Sequence, residues 1–261
     1  MLLKVAQLSQ RSMRAPSRLA VQGPNGSSSG KSREISGPTR TQCPGLHSWY
    51  SSPMPETASK KGTDTRERIL ALAEEAVLAK GFASTSIEEL IAAASISKSG
   101  FFYHFKDKGE LAKAMMLRYI EHDRQVLDDI FRRGDELHDD PLHGFLVGLK
   151  LFAEMLADLP ETHPGCLAAS FCYQDQLFNK EIRDLNTASV LAWRNRFRER
   201  LELIAKTYPP RQPVDFQALA DMAASSVEGG LILGRLLQDK TILPRQILLY
   251  RELVRAVFTT Q

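Results

Sequence analysis

The spacing of apolar residues constrains the fold more than any other feature of this chain. From Thr63 onward, apolar side chains recur with the period of an α-helix almost throughout. Such spacing places an apolar stripe on one face of each helix, and that stripe must be buried against a neighbouring helix. We find no convincing pair of segments with the alternating pattern of a half-buried β-hairpin. The sequence therefore predicts an all-α protein with about nine helices.

Length and composition exclude several classes of protein. The chain has 261 residues, of which 43% are hydrophobic, enough for one large domain or two modest ones. No segment approaches the roughly 18 to 20 continuous apolar residues that span a bilayer, so we expect no membrane partner. The three cysteines, Cys43, Cys166 and Cys172, are too few for a disulfide scaffold. They are typical of a reducing compartment, and we expect a cytoplasmic protein.

The formal charge of +3 is unevenly distributed along the sequence. Residues 1–61 contain nine Lys or Arg and two acids, whereas residues 62–261 contain 25 basic and 29 acidic groups. The first segment is rich in Ser, Gly, Pro and Arg, and this composition predicts a disordered basic tail. It is a phosphate-binding arm, a transit-like peptide, or the product of a start codon assigned too far upstream, with Met54 as the alternative start. We favour a dispensable tail.

Four helices are expected in the first half of the remaining chain. Asp64 with Glu67 predicts the start of the first helix, and Gly81 its end. A second capping box, Ser86 with Glu89, opens the second helix. The third is short, from Lys98 to about Phe105. Asp107 with Glu110 opens the fourth, which we expect to end near Arg133, before Gly134.

The second and third helices have the lengths and the tight connection of a helix-turn-helix. We expect Phe101, Phe102 and Phe105 to anchor the third helix from beneath. Lys98, Ser99, Tyr103 and His104 would then face outward. A plain helical hairpin inside a bundle, with the aromatic run as core, fits the same spacing equally well.

One stretch resembles a known family. Gly81-Phe82-x-x-Thr85-Ser86-Ile87-x-x-Leu90, followed by Ala94-Ser95-Ile96-Ser97-Lys98-Ser99-Gly100-Phe101-Phe102-Tyr103-His104-Phe105-x-x-Lys108, resembles the TetR family of bacterial transcriptional regulators. The resemblance implies a homodimer whose third helices enter successive major grooves of a palindromic double-stranded DNA operator. It further implies a ligand-responsive regulator, a repressor that a small-molecule effector releases from DNA.

The resemblance also assigns roles to individual residues. It implies phosphate contacts for Thr85, Tyr103, His104 and Lys108, and base-edge contacts for Lys98, Ser99 and Gly100. Two positions depart from the usual pattern. Ser95 occupies a position that is usually glycine, and Phe102 one that is often tyrosine, so Tyr103 would have to donate to phosphate instead.

The resemblance divides the chain into a helix-turn-helix DNA-binding domain at residues 62–108 and a helical ligand-binding and dimerisation domain at residues 109–261. The last two predicted helices, from Asp215 and from Pro244, would form a four-helix bundle with their mates in a dimer. An internal core hairpin is the alternative. The expected interface residues, many of them small enough to let helices approach closely, are Ala223, Ser226, Gly230, Gly234, Leu237, Leu253 and Val257.

An effector pocket is expected between the helices of the second domain, for a largely apolar or aromatic small molecule. For each candidate taken alone, ordinary core packing is the favoured explanation. The candidate lining residues are Met116, Tyr119, Phe152, Met155, Cys166, Phe171, Tyr173 and Trp193.

A helical protein without DNA binding is the rival hypothesis, either a small-molecule-binding protein or a metallohydrolase that uses the pairs His122-Asp123 and His138-Asp139. The first pair lies in a highly charged stretch and the second in a predicted loop, so solvated charge explains both better. The sequence contains no Gly-rich phosphate loop, nucleophile elbow or paired-cysteine motif. We therefore expect no enzymatic activity, no catalytic residue, no metal ion and no cofactor.

Overall fold

The computed structural model describes residues 60–259. Within this range the chain forms nine α-helices and one short 3₁₀ helix, with no β-strand, so the all-α prediction is confirmed. No helix among these residues has the length and apolar character needed to cross a membrane. The predictions for the basic tail lie outside the described residues. The helices are α1 Lys60–Lys80, α2 Ile87–Ala93, α3 Lys98–His104, α4 Lys108–Leu137, α5 Pro141–Ala157, α6 Leu167–Cys172, the 3₁₀ helix Asp175–Leu177, α7 Lys180–Thr207, α8 Phe216–Leu237 and α9 Ile242–Phe258.

Side-chain caps define most of the helix starts. Ser86 accepts a hydrogen bond from the Glu89 backbone N–H at 3.1 Å and opens α2 as expected. Asp107 accepts from the Glu110 N–H at 2.8 Å and opens α4 in the same way. The cap predicted at Asp64 is wrong, because α1 already begins at Lys60. Lysine favours helix, so the two lysines before Gly62 extend α1 upstream of Asp64.

The N-terminal unit, α1 to α3, contributes buried side chains to the one apolar core of the described residues. Phe101 and Phe105 of α3 are fully buried and lie 5.7 Å apart between ring centres. Arg68 of α1 donates to the Ala94 carbonyl at 3.0 Å and ties α1 to the end of α2. Phe102 does not join this core, contrary to prediction, and 42% of its surface is exposed. Since Phe101 and Phe105 are one helical turn apart, Phe102 is rotated away from their face.

The C-terminal unit, α5 to α9, packs around α5, which contacts both α4 and α9 extensively. An aromatic cluster fills its centre, where the Phe131 ring lies 5.4 Å from Phe145 and 5.5 Å from Phe197. Helix α4 belongs to both units, because α1 packs on its first half and α5 on its second half. At 30 residues, it is about 45 Å long, from the helical rise per residue.

Helix α4 continues through Gly134 to Leu137, so the predicted end near Arg133 is wrong. Gly134 is buried beneath α5, where a Cβ atom would overlap the Gly144 carbonyl and lie 2.9 Å from the Gly148 nitrogen. Phe131 in turn covers Gly148. These glycines permit two helix backbones to approach closely, and Gly134 does not act as a helix stop.

We predict that Gly134→Ala destabilises the protein by about 1 to 3 kcal/mol, because the added methyl group forces α4 and α5 apart. The free energy of unfolding from urea titrations would measure this loss. Gly62→Ala is the matched control, since no atom lies within 4 Å of the added Cβ. The control should show no loss, and equal destabilisation of both variants would contradict the close-approach explanation.

Candidate functional site

The outer face of α3 is a polar surface supported by a rigid core. Lys98, Ser99 and Tyr103 are exposed, and Tyr103 has 82% of its surface accessible. Buried Phe101 and Phe105 hold the helix from the opposite side. The four predicted outward residues therefore share this face, with His104 partly buried at its edge. The hydrogen-bond donors on such a face are already ordered, so binding through them avoids the entropy cost of ordering a loop.

The turn between α2 and α3 contains a backbone conformation that glycine prefers. Ser95 has a φ of +51°, in the left-handed region. Its N–H donates to the Ala92 carbonyl, while Ile96 donates to the Ile91 carbonyl and closes the turn. Ser95, at the position that is usually glycine, therefore keeps the backbone geometry of the turn. Its side chain makes this conformation strained, and glycine would relieve the strain.

The start of α3 is fixed by serine hydroxyls. Ser97 accepts a hydrogen bond from the Gly100 N–H at 3.1 Å, and its oxygen lies 3.0 Å from the Ser99 hydroxyl. Gly100 is partly buried, and a Cβ there would lie 3.3 Å from the Ser97 oxygen. Thus Lys98 and Ser99 are accessible at the start of the helix, whereas Gly100 lies against its cap.

Thr85 does not present its side chain to solvent. It is 1% exposed, and its hydroxyl donates to the Gly81 carbonyl at 3.0 Å. The predicted phosphate contact by this side chain therefore needs correction. Thr85 joins the end of α1 to the start of α2, a structural role that the sequence pattern alone does not distinguish from a DNA contact.

Lys108 also makes intramolecular contacts. Its Nζ donates to the Phe82 carbonyl at 2.7 Å and lies 4.5 Å from the centre of the Phe82 ring. Partial burial lowers the pKa of Lys108. Burial, and then the charge of Arg66, also lower the pKa of His104, so neutral histidine is favoured at the edge of the α3 face. Lys108 therefore fastens the first turn of α4 to the loop between α1 and α2.

Ion pairs connect α4 to the N-terminal unit further along its length. Arg118 donates to Glu67 at 2.9 Å and to Glu74 at 3.1 Å. Arg118 and Glu74 are both largely shielded from solvent, so this pairing is less screened than a surface salt bridge. A rotation of the second half of α4 would consequently also displace α1.

The candidate pocket residues fall into three groups. Met116, Tyr119, Phe152, Cys166 and Phe171 are buried. Met155 and Trp193 are partly buried and pack against the core. Tyr173 is 78% exposed and cannot line an interior site, because α6 ends at Cys172 and the chain then turns outward.

The buried candidates include a polar cluster that the sequence revealed only in part. The Tyr119 hydroxyl lies 3.5 Å from the Cys166 sulfur. Asp123, one helical turn after Tyr119, accepts a hydrogen bond from the Trp193 indole N–H. The Glu228 carboxyl interacts with the Cys166 thiol. We call Tyr119, Asp123, Cys166, Trp193 and Glu228 the buried polar cluster.

The interpretation of Asp123 as a solvated residue is wrong. It is 5% exposed, since it lies on the same face of α4 as buried Tyr119 and Leu127. Tyr119 and Leu127 lie four residues before and four residues after Asp123, and this spacing was the sequence signal that could have shown its burial. Neighbouring His122 is also partly buried.

Burial sets the protonation states at this cluster. It raises the pKa of Asp123 and of Glu228. It raises the pKa of the Cys166 thiol to about 11, so this cysteine stays protonated and weakly reactive near neutral pH. Burial lowers the pKa of His122 to about 4, with a smaller effect from Arg118, so this imidazole is neutral.

Helix α6 connects this cluster to the N-terminal unit. Cys166 caps its start, accepting from the Ala169 N–H. At its other end, Phe171 contacts Phe82 with the ring centres 5.6 Å apart. Just beyond, Gln174 accepts from the Ala83 N–H at 3.0 Å. One short helix thus touches the buried polar cluster at one end and the loop before α2 at the other.

Helices α8 and α9 present an apolar face to solvent, but it is not formed by the small residues expected there. Ala223, Gly230 and Gly234 are buried within the same chain, and a Cβ on Gly230 would lie 3.0 Å from the Leu243 Cα. Ser226 and Val257 are partly buried, and Leu237 and Leu253 are exposed. The small residues therefore serve the α8–α9 contact. The outward apolar face consists of Met222, Ile232, Leu233, Leu236, Leu248, Leu249 and Leu253.

The second histidine–aspartate segment forms a helix cap. His138, Asp140 and His143 bring their ligand-type atoms within 4.8 Å of one another between α4 and α5. The Asp140 carboxylate already accepts from the His143 backbone N–H at 2.9 Å and from the Tyr208 hydroxyl at 2.5 Å. Capping of α5 thus accounts for this grouping.

Comparison with known proteins identifies the helix-turn-helix region. Residues 69–115 match the family described as bacterial regulatory proteins, tetR family. The helix-turn-helix region of this chain is therefore similar to the TetR family. A segment of 77 residues is 31% identical to the HTH-type transcriptional repressor NemR of Escherichia coli K12. This alignment covers 30% of the present chain and 39% of the relative, so it includes less than half of that protein.

Solved TetR-family structures share the fold over a longer range. A TetR transcriptional regulator from Chloroflexus aurantiacus is 26% identical, with a TM-score of 0.62 over 76% of this chain and 97% of its own. A TetR-family regulator from Agrobacterium tumefaciens is 16% identical, with a TM-score of 0.63 over 76% of this chain and all of its own. The reduced form of E. coli NemR is 18% identical, with a TM-score of 0.61. The TetR-like arrangement therefore extends into the C-terminal unit.

We predict that His122 makes this protein sensitive to acid. The folded state holds His122 neutral down to about pH 4, whereas the unfolded chain binds a proton near pH 6.5. Stability from this group is therefore present above pH 6.5 and is lost as the pH falls toward 4. At pH 5 the loss is about 2 kcal/mol.

The test compares urea unfolding at pH 7.5 and pH 5 for the wild type and for His122→Gln. On acidification, the free energy of unfolding should fall by about 2 kcal/mol less in the variant than in the wild type. His138→Gln, at an exposed position, is the control and should behave as the wild type. Equal pH dependence of His122→Gln and the wild type would rule out His122 as the responsible group.

Proposed function

We propose that this chain is a ligand-responsive transcriptional regulator that binds a palindromic DNA operator as a homodimer and represses transcription until a small molecule binds. The observation that carries the proposal is the outer face of α3, where polar side chains stand on a helix fixed by Phe101 and Phe105. The match of residues 69–115 to the TetR family supports the same function. As such a regulator it acts in the cytoplasm and is not an enzyme.

Fewer residues are proposed to contact DNA than the sequence pattern suggests. Lys98 and Ser99, exposed at the start of α3, are placed to reach base edges in the major groove. Tyr103 and His104 lie at the other end of the helix, where a phosphate contact fixes orientation. Lys108 contributes by holding α4 against the Phe82 carbonyl. Residues 62–108 constitute the proposed DNA-binding domain and residues 109–261 the ligand-binding and dimerisation domain.

The apolar face of α8 and α9 supports the proposed homodimer. Its leucines and isoleucine include Leu236 and Leu249, which are 74% and 64% exposed. A concentration of exposed large apolar side chains on two packed helices is typical of an interaction site. The same face on a second copy, related by a two-fold axis, would cover it and produce the symmetry that a palindromic operator requires.

Two structural connections support effector control. Helix α4 is fastened to the N-terminal unit through Lys108 and Arg118. Helix α6 runs from Cys166, in the buried polar cluster, to Phe171 against Phe82. An effector that binds between α4, α6 and α7 would displace both helices. It changes DNA affinity only if it binds the two arrangements with different affinities.

We predict that Tyr103→Phe weakens DNA binding about tenfold for all sequences, because a hydrogen bond to a charged phosphate contributes about 1.5 to 3 kcal/mol. Lys98→Gln should instead change the preference at one or two base pairs. Fluorescence anisotropy with DNA from the protein's own upstream region, and with single-base variants at fixed salt, measures both effects.

Lys113→Gln on α4 is the control for these measurements, since Lys113 is paired with Glu181 away from α3. It should bind DNA as the wild type does. No DNA binding by the wild type would refute the proposed DNA-binding function. Unchanged affinity in Tyr103→Phe and unchanged base preference in Lys98→Gln would refute the contacts proposed for these two residues.

We predict that Leu249→Glu and Leu236→Glu produce monomers, because each would bury a charge in the dimer contact. Size-exclusion chromatography with light scattering reports the mass. Leu137→Glu, which changes another exposed leucine at the end of α4, should remain dimeric. A substitution at Gly230 is unsuitable, since it would disturb the contact with Leu243 within one chain. Dimers that persist in both face variants would refute this interface.

A further inference from the structure

Four helices direct polar side chains into the buried polar cluster. Tyr119 and Asp123 come from α4, Cys166 begins α6, Trp193 lies on α7 and Glu228 on α8. Their contacts connect them directly, through Tyr119 to Cys166 at 3.5 Å and through Asp123 to Trp193. Interiors of this kind are ordinarily apolar, and buried polar groups ordinarily have all their hydrogen bonds satisfied.

Asp123 departs from that rule. Among the described residues its Oδ1 has no hydrogen-bond partner, although the side chain is 5% exposed. The other oxygen accepts a hydrogen bond from the Trp193 indole N–H of α7. Arg196 lies close enough to lower the pKa of Asp123 slightly, but it pairs with Asp128. An unpaired buried carboxyl group is costly to stability unless a cation or donor meets it.

The surrounding groups add further negative charge and further acceptors. Burial is the largest cause of the raised pKa of Asp123 and of Glu228, and the charge of Asp123 raises the pKa of Glu228 further. In the part of the chain that the structure describes, Asn186 Oδ1 also lacks a partner, while its amide donates to the Ala168 carbonyl next to Cys166. The open positions of these groups are therefore acceptors, and a complementary ligand must bring N–H or O–H donors.

Aromatic rings lie beside these acceptors. The Trp193 ring stacks on Phe197 at 5.5 Å, and Phe152 lies 6.4 Å from Trp193. An ammonium group near carboxylates gains further from the faces of aromatic rings, and an apolar ligand body gains from contact with them.

We propose that the effector is an organic cation of the arylalkylamine class, whose ammonium group is held by Asp123 and Glu228 and whose ring lies against Trp193. This inference rests on the proposed function and specifies the chemistry of its ligand. A neutral aromatic alcohol would donate a hydrogen bond to the Asp123 oxygen without supplying a positive charge, and an anion would face two carboxyl groups. The ligand class is therefore selected by charge, with the aromatic surface supplying affinity.

The same contacts link the ligand to α6. An ammonium group that pairs with Glu228 competes with the Cys166 thiol for that carboxyl group. Cys166 caps α6, and Phe171 at the other end of α6 contacts Phe82. A displacement at Cys166 is thereby passed to the loop that precedes α2.

The test uses three probes of equal shape and different charge: 4-phenylbutylamine, 4-phenylbutan-1-ol and 4-phenylbutyrate. Isothermal titration calorimetry on the full chain measures binding. Trp193 fluorescence in a Trp49→Phe background reports contact at the cluster, because the sequence contains only these two tryptophans. The amine should bind at least tenfold more tightly than the alcohol and the carboxylate, and it should change the Trp193 emission.

Asp123→Asn and Glu228→Gln should each weaken amine binding at least tenfold. Asp129→Asn, an exposed position on the same helix with the same charge change, should leave it unaltered. Asp123→Asn keeps an acceptor for the Trp193 indole and removes the unpaired buried charge. The melting temperature of the ligand-free variant should therefore not fall, which separates a ligand role from a structural one.

Equal affinity for the three probes, no amine binding up to its solubility limit, or the same loss in Asp129→Asn would overturn the proposal. DNA binding measured on the same samples separates this result from the proposed function. A protein that binds its upstream DNA but fails the probe test has a different effector class. A protein that does not bind DNA fails the proposed function whatever the probes do.

Discussion

The packing of α4 against helices of both units is the constraint on which the rest of the structure depends. Its first turn is held by Lys108 on the Phe82 carbonyl and its middle by Arg118 on Glu67 and Glu74. Its last turns lie beneath α5 at a distance that only glycine permits at Gly134. Because α4 is one continuous helix, it cannot bend to relax one contact without disturbing the other. The orientation of the N-terminal unit therefore depends on packing in the C-terminal unit.

Helix α6 adds a second connection between the two units, of a different kind. Its six residues carry a polar contact at one end, Cys166, and an aromatic contact at the other, Phe171. Packed interiors do not deform continuously, so a shift at one end of so short a helix is transmitted to the other end. Both connections end at the loop that contains Phe82, just before α2. A change at the proposed effector site would therefore be transmitted to α2 and α3 through this loop.

The protein retains interactions that reduce its stability. Asp123 is buried with an unpaired oxygen, and Ser95 occupies a left-handed backbone conformation. Each costs of the order of 1 to 3 kcal/mol. The strain at Ser95 is confined to the turn that sets the angle between α2 and α3. The cost at Asp123 lies in the interior of the C-terminal unit, at the residue proposed to meet the effector. Both therefore lie where function is proposed, which is where such costs are expected.

The sequence by itself determined the all-α class, the positions of most helix starts and the helix-turn-helix. These depend on local spacing, such as Ser86 with Glu89, and on side chains one helical turn apart, such as Phe101 and Phe105. Contacts between distant segments were decided only by the tertiary structure. Thr85 and Lys108 bond to backbone carbonyls, Gly230 packs on Leu243 of the same chain, and Asp123 is buried. A residue type and its spacing define which face of a helix a side chain occupies, but whether that face meets solvent, a partner or the core depends on how the helices pack.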